Sequence, residues 1–154
     1  MSRLILTLWF GVVLTGFAQA TDFADLRIKT QMGAFTLKAE LALDDATRTQ
    51  GLMHRETMPA NYGMLFIFDE LGPKSMWMKD THIPLDMLFL GDDGRILDIA
   101  LGAEPFSHDI ISGRGNIRAV MEVHAGMAGR LGLQRGDSTN LSVIIAQYAD
   151  HISK

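Results

Sequence analysis

Charged and polar side chains interrupt strongly apolar sequence at several positions of this chain. Such a side chain must either reach water or meet a partner, because burying an unpaired charge is costly. The positions concerned are Arg48, Arg55, Trp77, Lys79, Thr81, Asp86 and Glu122. If these side chains converge, they form a polar cleft that binds a small anionic or sugar-like ligand. The alternative is that each one is neutralised separately by a neighbour.

Two of these residues, Asp86 and Glu122, are the candidate catalytic groups. A carboxyl in apolar surroundings has a raised pKa unless a cation lies beside it, and two carboxyls with separated pKa values can act as general acid and base. This pattern is compatible with a hydrolase or an isomerase. In the structural alternative, Asp86 pairs with Lys79, and Glu122 pairs with one of the two arginines.

The basic and aromatic positions favour ligand binding. Strand alternation would place Trp77 and Lys79 on one face, where a ring and a cation can hold a planar or anionic group. Arg48 and Arg55 are seven residues apart and would share one face of a helix, as a clamp for a carboxylate or phosphate. Otherwise each arginine pairs with a nearby acid, such as Asp45 or Glu56.

The methionines and histidines raise the question of copper. Six of the ten methionines lie between Met53 and Met87, together with His54 and His82. Thioether and imidazole ligands suit Cu(I), but methionine also fills irregular cores. The absence of cysteine from the sequence excludes thiol catalysis and Cys-based metal centres. Copper is therefore a third hypothesis, and we assign no metal-ligating residue and expect no cofactor.

The first twenty residues have the pattern of a secretory signal. Arg3 precedes an apolar stretch over 4–17, and Ala18-Gln19-Ala20 is a small-x-small cleavage motif. The apolar stretch is too short to cross a bilayer. We therefore expect cleavage after Ala20, a periplasmic or secreted protein, and no stable membrane anchor after processing.

The remaining residues, 21–154, are enough for one domain. Period-2 alternation and apolar runs predict strands at 26–30, 35–43, 63–68, 74–79, 87–90, 96–101, 119–123 and 139–145. Short helices are predicted at 46–54 and 126–131, and a long loop at 104–118. This order indicates a mainly β (β-rich α+β) domain. Its architecture is a single compact barrel or rolled antiparallel or mixed sheet of about eight short strands with two short surface helices. A net charge of −4 argues against nucleic-acid binding.

Five sequence blocks resemble those of the domain of unknown function 192 family. They are Arg48-x-x-Gly51-Leu52-Met53-x-Arg55-x-x-Met58-Pro59, Gly63-Met64-Leu65-Phe66-x-Phe68, Trp77-Met78-Lys79-x-Thr81-x-Ile83-Pro84-Leu85-Asp86, Val120-x-Glu122-Val123-x-Ala125-Gly126 and Gly132-Leu133-x-x-Gly136-Asp137. The resemblance spans about 26–145. It implies a compact β-rich domain, often exported, with no established reaction.

Three functions follow from these observations. The first is an exported accessory module that binds a small ligand, with Arg48, Arg55, Trp77, Lys79, Thr81, Asp86 and Glu122 around the cleft. The second is an enzyme that uses Asp86 and Glu122. The third is a Cu(I)-binding protein. The sequence identifies neither the ligand nor a protein partner.

Overall fold

The structure is a computed structural model and describes residues 21–152. The predicted signal segment therefore lies outside the described residues. Within 21–152, no helix combines the length and the apolar character that crossing a membrane requires.

The domain is built around one strongly curled sheet. The strands are β1 (Phe23–Thr30), β2 (Gly33–Ala42), β3 (Tyr62–Gly72), β4 (Ser75–Met76), β5 (Leu85–Leu90), β6 (Ile96–Ala103), β7 (Ile111–Ser112), β8 (Ile117–His124) and β9 (Ser138–Thr139). The strand order in the main sheet is β6-β5-β8-β3-β2-β1-β9, and β4 with β7 forms a separate two-stranded ribbon. Strands β2 and β3 run parallel, and the other pairs described in 21–152 are antiparallel.

A bridge between Arg95 and Ser138 brings the two ends of the main sheet together, as in a partly closed barrel. The prediction of a mainly β domain with a rolled mixed sheet is therefore confirmed. The predicted loop over 104–118 is mostly irregular, but it contributes β7 to the ribbon.

Four short helices complete the described fold: α1 (Asp45–Gln50), α2 (Met127–Arg130), α3 (Leu141–Gln147) and α4 (Ala149–Ile152). Helix α1 begins where the sequence predicts. The Asp44 carboxylate accepts a hydrogen bond from the Thr47 backbone N–H at 2.7 Å, and the Thr47 hydroxyl accepts one from the Asp44 N–H. These reciprocal bonds form a capping box. The helix is shorter than predicted, because the chain turns away at Gly51.

Alternation along the strands separates two apolar cores. One face of the sheet carries Leu65, Leu88 and Met121, and it packs against helices α2 to α4. The opposite face, which we call the pocket face, carries Met64, Phe66, Met87, Phe89 and Val120. This face is covered by the chain around α1 and by the loops that flank β4. The period-2 pattern therefore specifies both faces, as expected for a sheet buried on each side.

The predicted strand over 139–145 is wrong. Only Ser138–Thr139 is a strand in this region, and Leu141–Gln147 is α3. Leu141 and Ile144, three residues apart, are buried, whereas Val143 is exposed. The buried residues thus follow helical spacing, although the β-branched composition resembles a strand.

Two further predictions about the elements need correction. Helices α3 and α4 bring the number of helices within 21–152 from the two predicted to four. The predicted strand over 74–79 is reduced to Ser75–Met76. The residues that follow β4 therefore form a loop, and this loop carries Trp77 and Lys79.

Candidate functional site

A pocket of about 130 Å³ opens on the pocket face, between α1, β3 and the segment that follows β4. The chain lines it with Arg48, Thr49, Gln50, Gly51, Leu52, Met53, Phe66, Phe68, Ser75, Met76, Trp77, Thr81 and Glu122. Four of the seven predicted site residues are in this lining. They come from α1, the segment after β4, and β8, so the fold brings them together from distant parts of the sequence.

Glu122 is the acidic group of this pocket. On β8 it pairs with Met64 of β3 on one side and with Met87 of β5 on the other, so its side chain shares the pocket face with two thioethers. The residue is 4% exposed. None of the residues within 21–152 forms a hydrogen bond or an ion pair with its carboxyl group. Burial raises the pKa of Glu122 to about 8, because the charged form loses its hydration.

Aromatic, thioether and aliphatic side chains form about half of the lining. Phe66 and Phe68 point the same way from β3, one pleat apart. Met53 faces the pocket from the turn after α1, and Met76 faces it from β4. Trp77 is 44% exposed, so part of its indole faces solvent at the pocket. The pocket therefore combines an apolar wall with a few polar groups, as is common for pockets that bind small molecules.

Gly51 fits the end of α1 closely against this wall. Its φ is 50°, and a Cβ at this position would come within 3.3 Å of the Phe66 ring. This φ lies in the left-handed region, which glycine adopts readily. A glycine here lets the chain turn at the end of the helix and lie directly on the aromatic ring. The contact sets the position of Leu52 and Met53 beside Phe66.

The Arg48 side chain lines the pocket, but its guanidinium is already engaged. Its Nη1 donates to the carbonyl oxygens of Leu43 at 2.8 Å and Ile67 at 2.7 Å, and its Nη2 donates to the Asp45 carboxylate at 2.8 Å. The alternative in which Arg48 pairs with Asp45 is confirmed. Arg48 thus joins α1 to β3, and its charge is balanced without Glu122.

Lys79 and Thr81 lie next to each other at the edge of the pocket. The Lys79 ammonium is 5.5 Å from the centroid of the Trp77 ring, which is a cation–π arrangement. Thr81 is 5% exposed, and its hydroxyl donates to the Lys79 carbonyl at 3.1 Å. Lys79 does not pair with Asp86. The predicted neighbourhood of Trp77 and Lys79 is present, but it forms in a loop instead of a strand.

Three loops are joined beside Thr81. The His54 N–H donates to the Asp80 carbonyl at 2.8 Å, and the Phe106 N–H donates to the Thr81 carbonyl at 3.2 Å. His54, Asp80 and Phe106 all have φ between 52° and 64°. Non-glycine residues seldom occupy this region, and those that do tend to cluster at functional sites. Here they hold the loops of the pocket rim in one arrangement.

Arg55 lies outside this pocket. Its guanidinium makes a two-pronged ion pair with Glu40 of β2, with N–O distances of 2.5 and 2.6 Å. Both residues line a neighbouring hollow of about 450 Å³. The hydrogen bond to Glu40 raises the pKa of Arg55. Arg48 and Arg55 are each occupied by a different acid, so they do not form the predicted anion clamp.

Asp86 also lies outside this pocket. It pairs in register with Val123, the neighbour of Glu122, so the two carboxyls point to opposite faces of the sheet. Asp86 is 1% exposed, and it accepts hydrogen bonds from the N–H groups of Gly102 at 2.9 Å and Ala128 at 3.0 Å. It therefore joins β5 to β6 and α2. The predicted acid/base pair of Asp86 and Glu122 is not formed.

The residues of the copper hypothesis do not come together in the described part of the chain. Met53 and Met76 line the pocket, whereas His54 and His82 are exposed and outside its lining. The His82 ring instead packs against Phe106, with ring centroids 4.8 Å apart. Residues 21–152 contain no group of three His, Asp or Glu residues that could hold a metal ion. Copper binding thus stays a hypothesis, and only the thioethers of Met53 and Met76 among these residues line the pocket.

The sequence did not reveal Glu40 as the partner of Arg55, or Phe66 and Phe68 as walls of the site. Glu40 gave no distinct signal, because it follows Thr36 and Lys38 on the polar side of the alternation, where a solvent-facing acid would also lie. The two phenylalanines look like part of a buried strand, and nothing local distinguishes a pocket wall from core packing. Their role depends on α1, which does not cover them completely.

Comparison with known proteins gives a family and two similar structures. No curated protein matches the chain. A Sinorhizobium meliloti 1021 protein with the provisional description of transcription regulator is similar at 43% identity and a TM-score of 0.76, over 79% of this chain and 95% of that one. A Novosphingobium aromaticivorans protein of unknown function is similar at 29% identity and a TM-score of 0.75, over 85% of this chain and 99% of that one. The model of the DUF192 family, described as Uncharacterized ACR, matches residues 26–141. The chain therefore belongs to the uncharacterised DUF192 family.

Proposed function

We propose that this protein is a small-ligand-binding module and that its ligand occupies the pocket above Glu122. The observation that carries the proposal is a buried carboxyl group, without a partner among residues 21–152, at a pocket with aromatic walls. Leaving such a group unpaired destabilises the fold. A ligand that hydrogen bonds to Glu122 would supply the missing partner. The surrounding apolar wall would cover the rest of the ligand.

The dimensions limit what can bind. The pocket has a volume of about 130 Å³. Cavities that hold one benzene-sized molecule have a similar volume, roughly 150 Å³. The inner part of the ligand is therefore small, and a larger ligand would extend past Trp77. A sugar-like ring could stack on the exposed indole, and an outward anionic group would be near Lys79.

We also propose that the chain is exported to the periplasm or secreted. The support is the signal-like pattern of residues 1–20. A nucleic-acid ligand is not part of the proposal, although one relative carries the description of transcription regulator. Nucleic-acid binding depends on clustered basic residues, and this chain has a net charge of −4.

Thermal unfolding with a set of small probes tests the binding proposal. Monosaccharides, small alcohols, carboxylates and amines are added separately to the whole chain. A ligand at about a hundred times its Kd stabilises the folded state by about 2.7 kcal/mol, which raises Tm by several degrees. We expect at least one probe to do so, and Trp77→Ala to reduce this shift by more than half.

Phe23→Ala is the matched control. Phe23 is an aromatic residue with a similar exposure, 40%, and it lies on β1 outside the pocket lining. Its removal should leave the ligand-induced shift unchanged. In a Trp9→Phe background, Trp77 is the only tryptophan and its fluorescence gives a second readout. If no probe changes either Tm or Trp77 emission, the binding proposal is wrong.

A further inference from the structure

We infer that the inner end of the pocket accepts the ammonium group of a small organic amine, with the Glu122 carboxylate as its counter-ion. This inference rests on the proposed function and specifies the chemical class of the ligand. It is carried by three observations: the uncompensated acid, the electron-rich walls, and the way in which the protein's own cations sit on nearby rings.

The charge around Glu122 is not balanced by the described part of the protein. Arg48, the cation in the lining, is held by Asp45 and by two backbone carbonyls. Arg55 is paired with Glu40, whose strand is two positions from β8 in the sheet. Two strand spacings amount to about 10 Å. An ammonium ion entering the pocket would therefore meet an acid that no described cation has already neutralised. The attraction would be strong, since the site is largely shielded from water.

The walls suit a cation better than an anion. The faces of aromatic rings are negative and attract ammonium groups, and a thioether offers a polarisable surface. The protein's own cations already use the rings here: the Lys79 ammonium is 5.5 Å from the Trp77 centroid, and the Lys74 ammonium is 4.8 Å from the Phe68 centroid. Phe68 and Trp77 both line the pocket. The ammonium group of a bound amine would contact the same two rings from inside the pocket.

Several other charged or ionisable groups lie around Glu122. They are Arg48 from α1, Glu40 and Arg55 at the adjoining hollow, Lys79 beside Trp77, and His124 two residues along β8. The partners of Glu122 on β3 and β5, Met64 and Met87, do not titrate. The His124 Nε2 donates to the Met58 carbonyl at 2.7 Å, so this ring nitrogen already has a backbone partner.

Binding of an ammonium group would be linked to proton release. Glu122 is mostly protonated at neutral pH, because burial raises its pKa to about 8. Alkylamines keep their proton well above this pH, as lysine does with a pKa of about 10.4. The proton that leaves must therefore be the one on the Glu122 carboxyl, and it goes to the solvent. Affinity should rise about tenfold per pH unit below pH 8 and level off above it.

Calorimetric titration of the whole chain with n-butylammonium and with 1-butanol tests the inference. The two probes have similar shape and differ in charge. We expect n-butylammonium to bind at least tenfold more tightly than 1-butanol at pH 8. We also expect its affinity to fall about fiftyfold between pH 8 and pH 6, while that of 1-butanol stays constant.

The variant Glu122→Gln separates charge from shape. It should lose at least tenfold in affinity for n-butylammonium, lose the pH dependence, and keep its weak binding of 1-butanol. Glu56→Gln is the control, because it removes one exposed carboxylate outside the pocket. Thermal unfolding of both variants shows that they are folded, and the 1-butanol titration shows that the pocket persists.

The outcomes distinguish the two proposals. If 1-butanol or a sugar binds as tightly as n-butylammonium, or if Glu122→Gln does not weaken amine binding, the amine inference is wrong while ligand binding stands. If neither probe binds at any pH between 6 and 9, the amine inference also fails. The thermal shifts with monosaccharides and carboxylates then decide whether the pocket binds any small molecule.

Discussion

At the scale of single residues, the central feature is which partner each acidic side chain has. Each arginine singled out in the sequence has an acid of its own, Asp45 for Arg48 and Glu40 for Arg55, and Asp86 is held by backbone N–H groups. Glu122 alone among the predicted acids has no such partner within the described residues. The sequence predicts that Glu122 is buried, because apolar residues flank it. It does not predict which acids are neutralised, since that depends on contacts between distant segments.

The unpaired state of Glu122 predicts how stability depends on pH. Its pKa is about 8 in the folded protein against an ordinary value of 4.5, so the folded state holds more protons between these limits. Stability should therefore be highest below about pH 4.5, as far as this group is concerned, and fall as pH rises to 8. The loss is a few kcal/mol, at about 1.4 kcal/mol per pKa unit.

Urea denaturation at pH 5 and pH 8 measures this effect. Glu122→Gln cannot ionise, so its stability should change less between the two values than that of the wild type. The exposed Glu56→Gln variant should keep the wild-type dependence. An equal decline for wild type and Glu122→Gln would show that Glu122 does not control the pH response.

At the scale of elements, β3 and β8 meet unusually closely beside the pocket. A Cβ at Gly63 would overlap the carbonyl oxygen of Glu122 and crowd the Met121 side chain. Only a residue without a side chain allows β3 to approach β8 at this point. The Gly63-Met64-Leu65-Phe66 block predicts a buried strand, but it does not reveal that the glycine faces the backbone of Glu122.

Gly63→Ala should therefore separate the two strands locally. We expect destabilisation of at least about 2–3 kcal/mol, typical of an overpacked core, and weaker ligand binding because the Glu122 backbone must move. Gly129→Ala in α2 is the matched control, since its Cβ would meet nothing within 4 Å. This control should be neutral or slightly stabilising. Chemical denaturation of both variants makes the comparison, and similar stability of the two would contradict the proposed close contact.

At the scale of the whole molecule, the sequence predicts the elements better than their arrangement. Alternation identifies most strands of the sheet, because burial on one or two faces leaves a local pattern. The insertion of β8 between β3 and β5, and the parallel pairing of β2 with β3, leave no such pattern. They result from long-range pairing that depends on the whole core. For the same reason, residue type identifies Trp77, Thr81 and Glu122 as candidate site residues, but it does not identify the phenylalanines that form the pocket wall.

The proposed export makes a prediction for the whole chain. When the full sequence is expressed in a Gram-negative bacterium, intact mass of the periplasmic fraction should show a chain that begins at Thr21. Replacing Ala18 and Ala20 with bulky residues should leave the unprocessed chain in the membrane fraction, because signal peptidase requires small residues there. Recovery of a full-length chain from the soluble cytoplasmic fraction would contradict the export proposal.

The position of β8 in the sheet has a consequence for biosynthesis. This strand contributes Glu122 and lies between β5 and β3 near the centre of the sheet, yet along the described chain only β9 follows it among the strands. A nascent polypeptide that ends before residue 117 includes α1 and the rim loops but lacks Glu122, the acid of the proposed binding site. If the proposed ligand binds at Glu122, its binding therefore requires that most of the domain has been synthesised.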